Sequence, residues 1–336
     1  MIPVCKPYWG VEEEAAALRV MRSGHLIQGL EVEAFEQAVA EYVGVEYAVA
    51  TSSGTTALHL ALLAMGVGRG DRVLVPAFTF VATANAVLMC GAKPVLCDIN
   101  LETFCLGQLP LLAESYWIDH KVVVPVHAFG YLSKYNGPGV LEDAACALGT
   151  EYVGNRGRAA ILSFHATKII TTGEGGMVLT NDPSLADKVR LLRDQKHGTC
   201  LAYNYRMTEI AGAIGCEQMK RLPWILEQRR RIAALYDGEF DGHIAARIPP
   251  RGGNYQSYVL LLDKRRDRAQ VIGALAERGI EALPGTQFLG DMPHMRTEGL
   301  PNARFAGTHA MRIPIYPQMT GAETEQVVKA VKEVLR

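Results

Sequence analysis

Apolar positions along this chain recur with two alternating periods. Val32, Phe35, Val39 and Val43 fall at helical spacing and predict an amphipathic helix from Glu31 to Val43. Ala16, Leu18, Val20 and Met21 predict another from Glu12 to Ser23, with Gly24 as its stop. Between the helical stretches lie short apolar runs of strand length: Tyr47 to Ala50, Arg72 to Pro76, Pro94 to Cys97, Lys121 to Val126, Val140-Leu141, Ile161 to Phe164 and Met177 to Thr180. Three further helices fit among them. One starts after Ser52-Ser53-Gly54, with Leu58, Leu62 and Met65 on one face; the others cover Ala82 to Cys90 and Pro183 to Leu192. Strand and helix in alternation predict an α/β fold, a mostly parallel sheet with helices on both faces.

Beyond residue 200 the pattern is more helical. Met207 to Leu222 predicts a helix that Pro223 ends, and a second helix carrying Arg229-Arg230-Arg231 runs to about Phe240. A strand from Ser257 to Leu262, a helix from Ala269 to Gly279 and a C-terminal helix from Glu323 to Leu335 follow. The boundary near 221–231 divides the chain into a large domain, 1–225 with the N-terminal segment included, and a small one, 226–336.

With 336 residues, 49% hydrophobic and 21% charged, the chain is long enough for both domains. Its formal net charge of −1 gives no electrostatic footprint for nucleic acid. The most apolar long stretch, Ala77 to Ala92, includes Thr79, Thr83 and Asn85 and is too short and polar to cross a bilayer. Acidic residues at 12–14 interrupt the N-terminus before a secretory apolar core could form. Seven cysteines, at 5, 90, 97, 105, 146, 200 and 216, include no C-x-x-C pair and read as reduced thiols, not as a disulfide framework or metal site. The expected location is cytoplasmic.

The chemistry concentrates in Ser163-Phe-His-Ala-Thr-Lys168-Ile-Ile-Thr-Thr-Gly173-Glu-Gly175-Gly176. Its one lysine, set among hydroxyls and glycines, suits either a surface charge in a glycine turn or an amine that condenses with a carbonyl, as in a Schiff base with pyridoxal phosphate. Ser52-Ser53-Gly54-Thr55-Thr56 stands where a strand gives way to a helix, which fits a simple helix cap or an anion site of free N–H groups. Asp143 ends a short apolar run, as a helix cap or as a carboxylate awaiting a cation such as a protonated ring nitrogen. Phe78 and Phe80 share one face if the chain is extended there, for core packing or to cover a flat cofactor. His127 ranks second among the candidates, and Arg229-Arg230-Arg231 and Lys264-Arg265-Arg266 read as solvated faces. No G-x-G-x-x-G follows a strand, against a dinucleotide site.

Taken in order, these stretches resemble the DegT/DnrJ/EryC1/StrS family of sugar aminotransferases. The likeness rests on Ser53-Gly-Thr-Thr-Ala-Leu-His-Leu-Ala61, Pro76-Ala-Phe-Thr-Phe-Val-Ala-Thr-Ala-Asn-Ala-Val87, Pro125-Val-His127, Glu142-Asp-Ala-Ala145, Ser163-Phe-x-x-Thr-Lys168, Gly173-Glu-Gly-Gly-Met177 and Tyr203-Asn-Tyr-Arg-Met207. It implies an aspartate-aminotransferase-like fold (fold type I) with pyridoxal phosphate as cofactor. Lys168 matches the Schiff-base lysine, Asp143 the acid on the pyridine nitrogen, and Phe80 the stacked aromatic. Gly54, Thr55 and Ser163 match the phosphate cradle. Asn204 matches an asparagine that reaches the phosphate from a neighbouring subunit, so a homodimer with shared sites is implied. An amino acid, glutamate by analogy, would donate to a nucleotide-linked keto sugar, a 4-keto-6-deoxyhexose ranking first. His25, Arg206 and Lys6 are the substrate-side candidates. A cyclitol ketone as acceptor, ketosugar dehydration and a non-catalytic regulatory protein on the same fold are the alternatives. The chain departs from the family at Cys146, where a glutamine is usual, and in shortened segments from Gly130 to Val140 and from Gly198 to Tyr203.

Overall fold

The computed structural model describes residues 1–108, 121–195, 201–247 and 252–336. Helices α1 (Val11–Ser23) and α2 (Leu30–Val43) lead into β1 (Tyr47–Thr51) and α3 (Gly54–Ala64). There follow β2 (Arg72–Pro76), the two-residue β3 (Phe78–Thr79), α4 (Ala82–Met89), β4 (Lys93–Cys97), β5 (Val122–Val123), β6 (Gly137–Asp143), β7 (Gly157–Ser163), β8 (Gly176–Thr180) and α5 (Pro183–Asp194). The long α6 (Glu209–Phe240) carries the chain to β9 (Ala246–Arg247), β10 (Tyr258–Leu262), α7 (Arg268–Ala276), β11 (Leu283–Pro284), β12 (Gln287–Phe288), α8 (Pro301–His309), β13 (Ala310–Ile313) and α9 (Gly321–Leu335).

The main sheet has seven strands in the order β1-β8-β7-β6-β5-β2-β4. β8 is antiparallel to both β1 and β7, so it alone opposes the other six. Its strands are mostly apolar between their ends because both faces are covered, with charges such as Arg72, Lys93 and Asp143 kept to the ends. In β1, Val49 joins the core under α3, α4 and α5, while Ala48 and Ala50 join the one under α2 and α6. The same alternation divides Ile161 from Ala160 and Leu162. A second, four-stranded sheet, β11-β13-β10-β9, is wholly antiparallel and packs on the C-terminal half of α6, on α7 and on α9.

Four expectations change. Pro223 does not end a helix: α6 is one 32-residue helix with Pro223 inside it. The proline removes one backbone donor, but Met219, Leu222, Ile225 and Leu226 on either side are all buried in one core, so packing carries the helix across. Arg229 is not solvated: it is 2% exposed, and its Nη1 donates to the carbonyls of Tyr255, Gln256 and Ile315. Phe78 and Phe80 do not share a face, because β3 stops at Thr79 and the chain turns there; Phe78 is buried and Phe80 is 62% exposed. Helix α8 and strand β13 were not predicted by the pattern, and β13 lies inside the second sheet between β10 and β11.

After the 3-10 turn Ala128–Gly130, residues 131–136 lead to β6 without a helix, as expected. The trimmed segment from Gly198 to Tyr203 lies partly outside the described residues. Among the described residues no helix is long and apolar enough to cross a membrane.

Candidate active site

The register of the main sheet gathers the predicted residues along one edge. Ser163 pairs with Gly176, Gly176 with Thr51, and Asp143 with Ile161, so the ends of β1, β6 and β7 and the start of β8 lie side by side. This is the carboxyl edge of the parallel strands, where α/β sheets place their ligands. Two glycines let the turn after β1 press onto that edge. A Cβ on Gly176 would overlap the Ser53 carbonyl, and one on Gly54 would stand 2.9 Å from the Ser163 Cβ. Ser53 caps α3 by accepting from the Thr56 N–H. The first N–H groups of the helix, at Gly54 and Thr55, have no intrahelical acceptor and sit beside Ser163.

Lys168 lies in the loop from β7 to β8. Ile169 and Ile170, 5% and 1% exposed, anchor it in the core, and the Lys168 N–H donates to the His165 carbonyl at 2.9 Å. The loop is closed at its neck, where the Phe164 N–H meets the Gly175 carbonyl and the Thr172 N–H meets the Phe164 carbonyl. The half-buried Lys168 Nζ donates to the Cys146 Sγ at 3.1 Å.

Asp143 ends β6 and is 4% exposed. Its Oδ2 accepts from the Thr83 hydroxyl at 2.8 Å, and its Oδ1 from the Ala145 N–H at 3.2 Å. Burial pushes its carboxyl above the ordinary aspartate range, against the Thr83 and Ala145 hydrogen bonds and the charges of Lys168 and His127. The Thr83 hydroxyl is shared with that of Thr79 at 3.1 Å. The turn from Phe78 to Thr83 thus supplies both a hydroxyl for Asp143 and, at Phe80, an uncovered ring.

Behind Asp143, Glu142 and His127 form a buried frame. His127 is fully buried; its Nδ1 accepts from the Ser133 N–H at 2.9 Å, which places its proton on Nε2, 2.8 Å from the Glu142 Oε2. Glu142 also accepts from the N–H groups of Gly154, Arg156 and Gly157 at 3.1, 2.7 and 2.8 Å. Burial raises its carboxyl, but the His127 and backbone donors outweigh it and hold it below the ordinary glutamate range. His127 is therefore a structural residue. Glu142→Gln turns an amide donor toward this cluster of donors, and should cost about 3 kcal/mol of stability at neutral pH. A group whose folded pKa is depressed stabilises above its unfolded pKa and loses that contribution as the pH falls through the folded one. The difference in Tm between wild type and variant should therefore narrow as the pH drops through about 4, which thermal melts across pH would measure.

Sequence reasoning missed three contributors. Thr83 looked like one more small residue in an alanine-rich helix. Asn254 and Gln256, just before β10, tie the second sheet to the site. Asn254 Nδ2 donates to the carbonyls of Cys146 and Leu148 at 2.9 Å each, and Gln256 Nε2 to the Thr167 carbonyl at 2.8 Å. Gly130, in the left-handed region with φ +96°, makes room for Asn254, whose side chain any Cβ there would overlap. The polar run Asn254-Tyr-Gln-Ser257 before the apolar β10 was the available signal.

The remaining candidates lie apart. Asn204 is exposed, flanked by Tyr203 and Tyr205, whose rings stack at 5.0 Å. Arg206 donates to the Asp194 carbonyl at 2.8 Å and lines a cavity of about 280 Å³ with Ile27, Gln28 and Asp194, close to the exposed His25 in sequence. Lys6 is exposed, and the Gln318 Nε2 lies 3.5 Å from its carbonyl. A cavity of about 610 Å³ beside Tyr42, Tyr152 and Arg230 is lined by none of Lys168, Asp143, Cys146 or Phe80, so chemistry, not volume, marks the site.

The residues fit the expected cofactor. A buried carboxylate with no ion-pair partner among the described residues suits a protonated ring nitrogen, an exposed aromatic suits a ring to cover, and free helix N–H groups beside a hydroxyl suit a phosphate. Residues 7–332 match the DegT/DnrJ/EryC1/StrS aminotransferase family. A GDP-perosamine synthase of Caulobacter vibrioides is 38% identical over 335 residues, covering 90% of this chain and 89% of that protein. The aminotransferase TlmJ from Streptoalloteichus hindustanus superposes with a TM-score of 0.93 at 30% identity, over 99% of this chain and 98% of that one. Helicobacter pylori PseC, an aminotransferase of pseudoaminic acid biosynthesis, gives 0.91 at 26% identity, over 99% of each chain. These likenesses bear out the expected fold type I architecture. The chain belongs to the DegT/DnrJ/EryC1/StrS aminotransferase family and is an aminotransferase dependent on pyridoxal phosphate.

Proposed function

We propose that this aminotransferase moves the amino group of glutamate to a nucleotide-linked keto sugar, with a 4-keto-6-deoxyhexose as the acceptor. The observation that carries the reading is the juxtaposition of Lys168 Nζ, Cys146 and the buried Asp143 at one sheet edge, in a chain 38% identical to a GDP-perosamine synthase. Bound pyridoxal phosphate supplies an electrophilic carbon for the amino group and a ring that stores the electron pair left when a proton departs.

The chain's own residues do the rest. Lys168 holds the cofactor at rest, then takes the proton from the donor's α-carbon at Nζ and delivers it to the cofactor carbon. Asp143 keeps the ring nitrogen protonated, and the hydroxyl of Thr83 orients its carboxylate. Phe80 covers one ring face and excludes water from it. Gly54 and Thr55 N–H groups and the Ser163 hydroxyl bind the phosphate. Asn204 of a second copy completes that cradle, so the working unit is a homodimer. His25, Arg206 and Lys6 face the substrates.

Two measurements test this. The protein is first converted to its amine form with glutamate, and candidate ketones are then added while the cofactor's visible band is followed. Return of the band with nucleotide-linked 4-keto-6-deoxyhexoses is the expected result; return with a free keto-cyclitol and with no nucleotide sugar would overturn the acceptor. For the shared site, inactive Lys168→Ala and damaged Asn204→Ala chains should regain part of the activity once mixed and exchanged. Exchange without rescue would remove Asn204 from the neighbour's site.

A further inference from the structure

Among the described residues Arg312 is a cation without a carboxylate partner. It lies in β13 opposite Val259 of β10 and Leu283 of β11. Strand alternation decides its direction. Met311 and Ile313, on either side of it, join the core under α6, α7 and α9, as do Tyr258 and Leu260. Val259, Leu261 and Ala310 instead join the core of the large sheet. Arg312 shares their face, so it points from the second sheet toward the first.

The side chain is half-buried, and its one hydrogen bond among the described residues is from Nε to the Pro284 carbonyl at 3.1 Å. Among the described residues it makes no ion pair. Burial lowers its pKa, and the titratable groups that act against this are Cys146, Cys5 and Glu281. Glu281 is occupied elsewhere, accepting from the Val4 N–H at 2.7 Å. Cys146, one of the groups whose electrostatics reach Arg312, touches Lys168 Nζ, so the face that Arg312 shares turns toward the side of the large sheet that carries the reacting amine. A partly desolvated guanidinium with its terminal N–H groups unpaired is costly to keep unless an anion arrives there.

We propose that Arg312 binds the α-carboxylate of the amino donor. This assignment rests on the aminotransferase reading above and adds a residue to it. The donor's α-carboxylate is one bond from the carbon whose proton Lys168 moves, so its anchor must lie close to Nζ. The acceptor's diphosphate is separated from its reacting carbon by much of a sugar ring and belongs farther out. A guanidinium forks onto a carboxylate with two parallel N–H bonds, and its Nε bond to Pro284 sets the plane of that fork. In the second half-reaction the same N–H groups can donate to sugar hydroxyls.

The test uses the holoenzyme and two probes, L-glutamate and the unreactive dicarboxylate glutarate. Arg312→Met should weaken glutarate binding, measured by calorimetry, and the glutamate half-reaction by roughly 30-fold or more. Cofactor affinity should stay within about twofold, and Arg312→Lys should recover part of the loss. The amine form, made by loading pyridoxamine phosphate, should still react with a keto sugar. Unchanged glutarate binding in both variants, or a defect confined to the keto-sugar half, would overturn the assignment. Wild-type protein that accepts amino groups from other amino acids but neither reacts with glutamate nor binds glutarate would overturn the glutamate reading itself, and this use of Arg312 for it.

Discussion

Lys168→Ala should abolish transamination while leaving the fold intact. The loss expected is on the order of 10⁴-fold or more, because in the proposed mechanism one amine both holds the cofactor and moves the proton. The stability change should be within about 1 kcal/mol. The lysine is half-buried, and among the described residues its one side-chain partner is the Cys146 thiol, a weak one. The loop does not depend on it, since Ile169, Ile170 and the backbone bonds at Phe164 hold its shape. Steady-state assays together with thermal melts check both halves. Wild-type turnover in the variant would remove Lys168 from the chemistry, and a collapsed melt would show that the lysine is structural.

Asp143→Asn is the second large effect, and its two consequences run in opposite directions. The amide keeps the shape of the carboxylate and can still meet the Thr83 hydroxyl and the Ala145 N–H, but it carries no charge to keep a ring nitrogen protonated. Turnover should fall by about 10²- to 10³-fold, the scale seen when one electrostatic group is removed from a transition state. Stability of the cofactor-free protein should not fall. Burial raises the Asp143 carboxyl, so the folded protein binds that proton more tightly than the unfolded chain does. Stability is then lost as the pH rises from the unfolded value, about 3.9, through the folded one, so a cost is present at pH 7. Asparagine carries no such cost. An apo variant at least as stable as wild type at pH 7, with a crippled holoenzyme, is the expected pair of results. A variant with wild-type turnover would make Asp143 a helix cap.

That trade explains which parts of the site could be read from the sequence. Asp143 was legible because two charged residues in a row, Glu142 and Asp143, after Val140 and Leu141 have to end a strand, and strand ends of a parallel sheet converge. Lys168 was legible from its glycines, all three of which the structure uses: Gly173, in the left-handed region with φ +82°, Gly175, where a Cβ would crowd Thr172 and Met207, and Gly176, which admits the Ser53 turn. Contacts between distant loops were not legible. Cys146 and Lys168 are 22 residues apart and meet only because β6 and β7 pair in parallel. Arg312 was hidden for a different reason. It interrupts the short apolar run of β13, which reads as no strand until β10 and β11 are set beside it. Pro223 and Arg229 were misread because local chemistry argued for a break and a wet surface, while packing on both sides of α6 enforced one continuous buried helix.

The most direct test of the central claim is chemical. The purified holoprotein is treated with borohydride, digested, and the peptide bearing the reduced cofactor is identified. The account predicts a single labelled peptide spanning Ser163 to Gly176, with the cofactor on Lys168. A cofactor fixed to any other lysine, or a protein that holds pyridoxal phosphate with no reducible link to the chain, would contradict it.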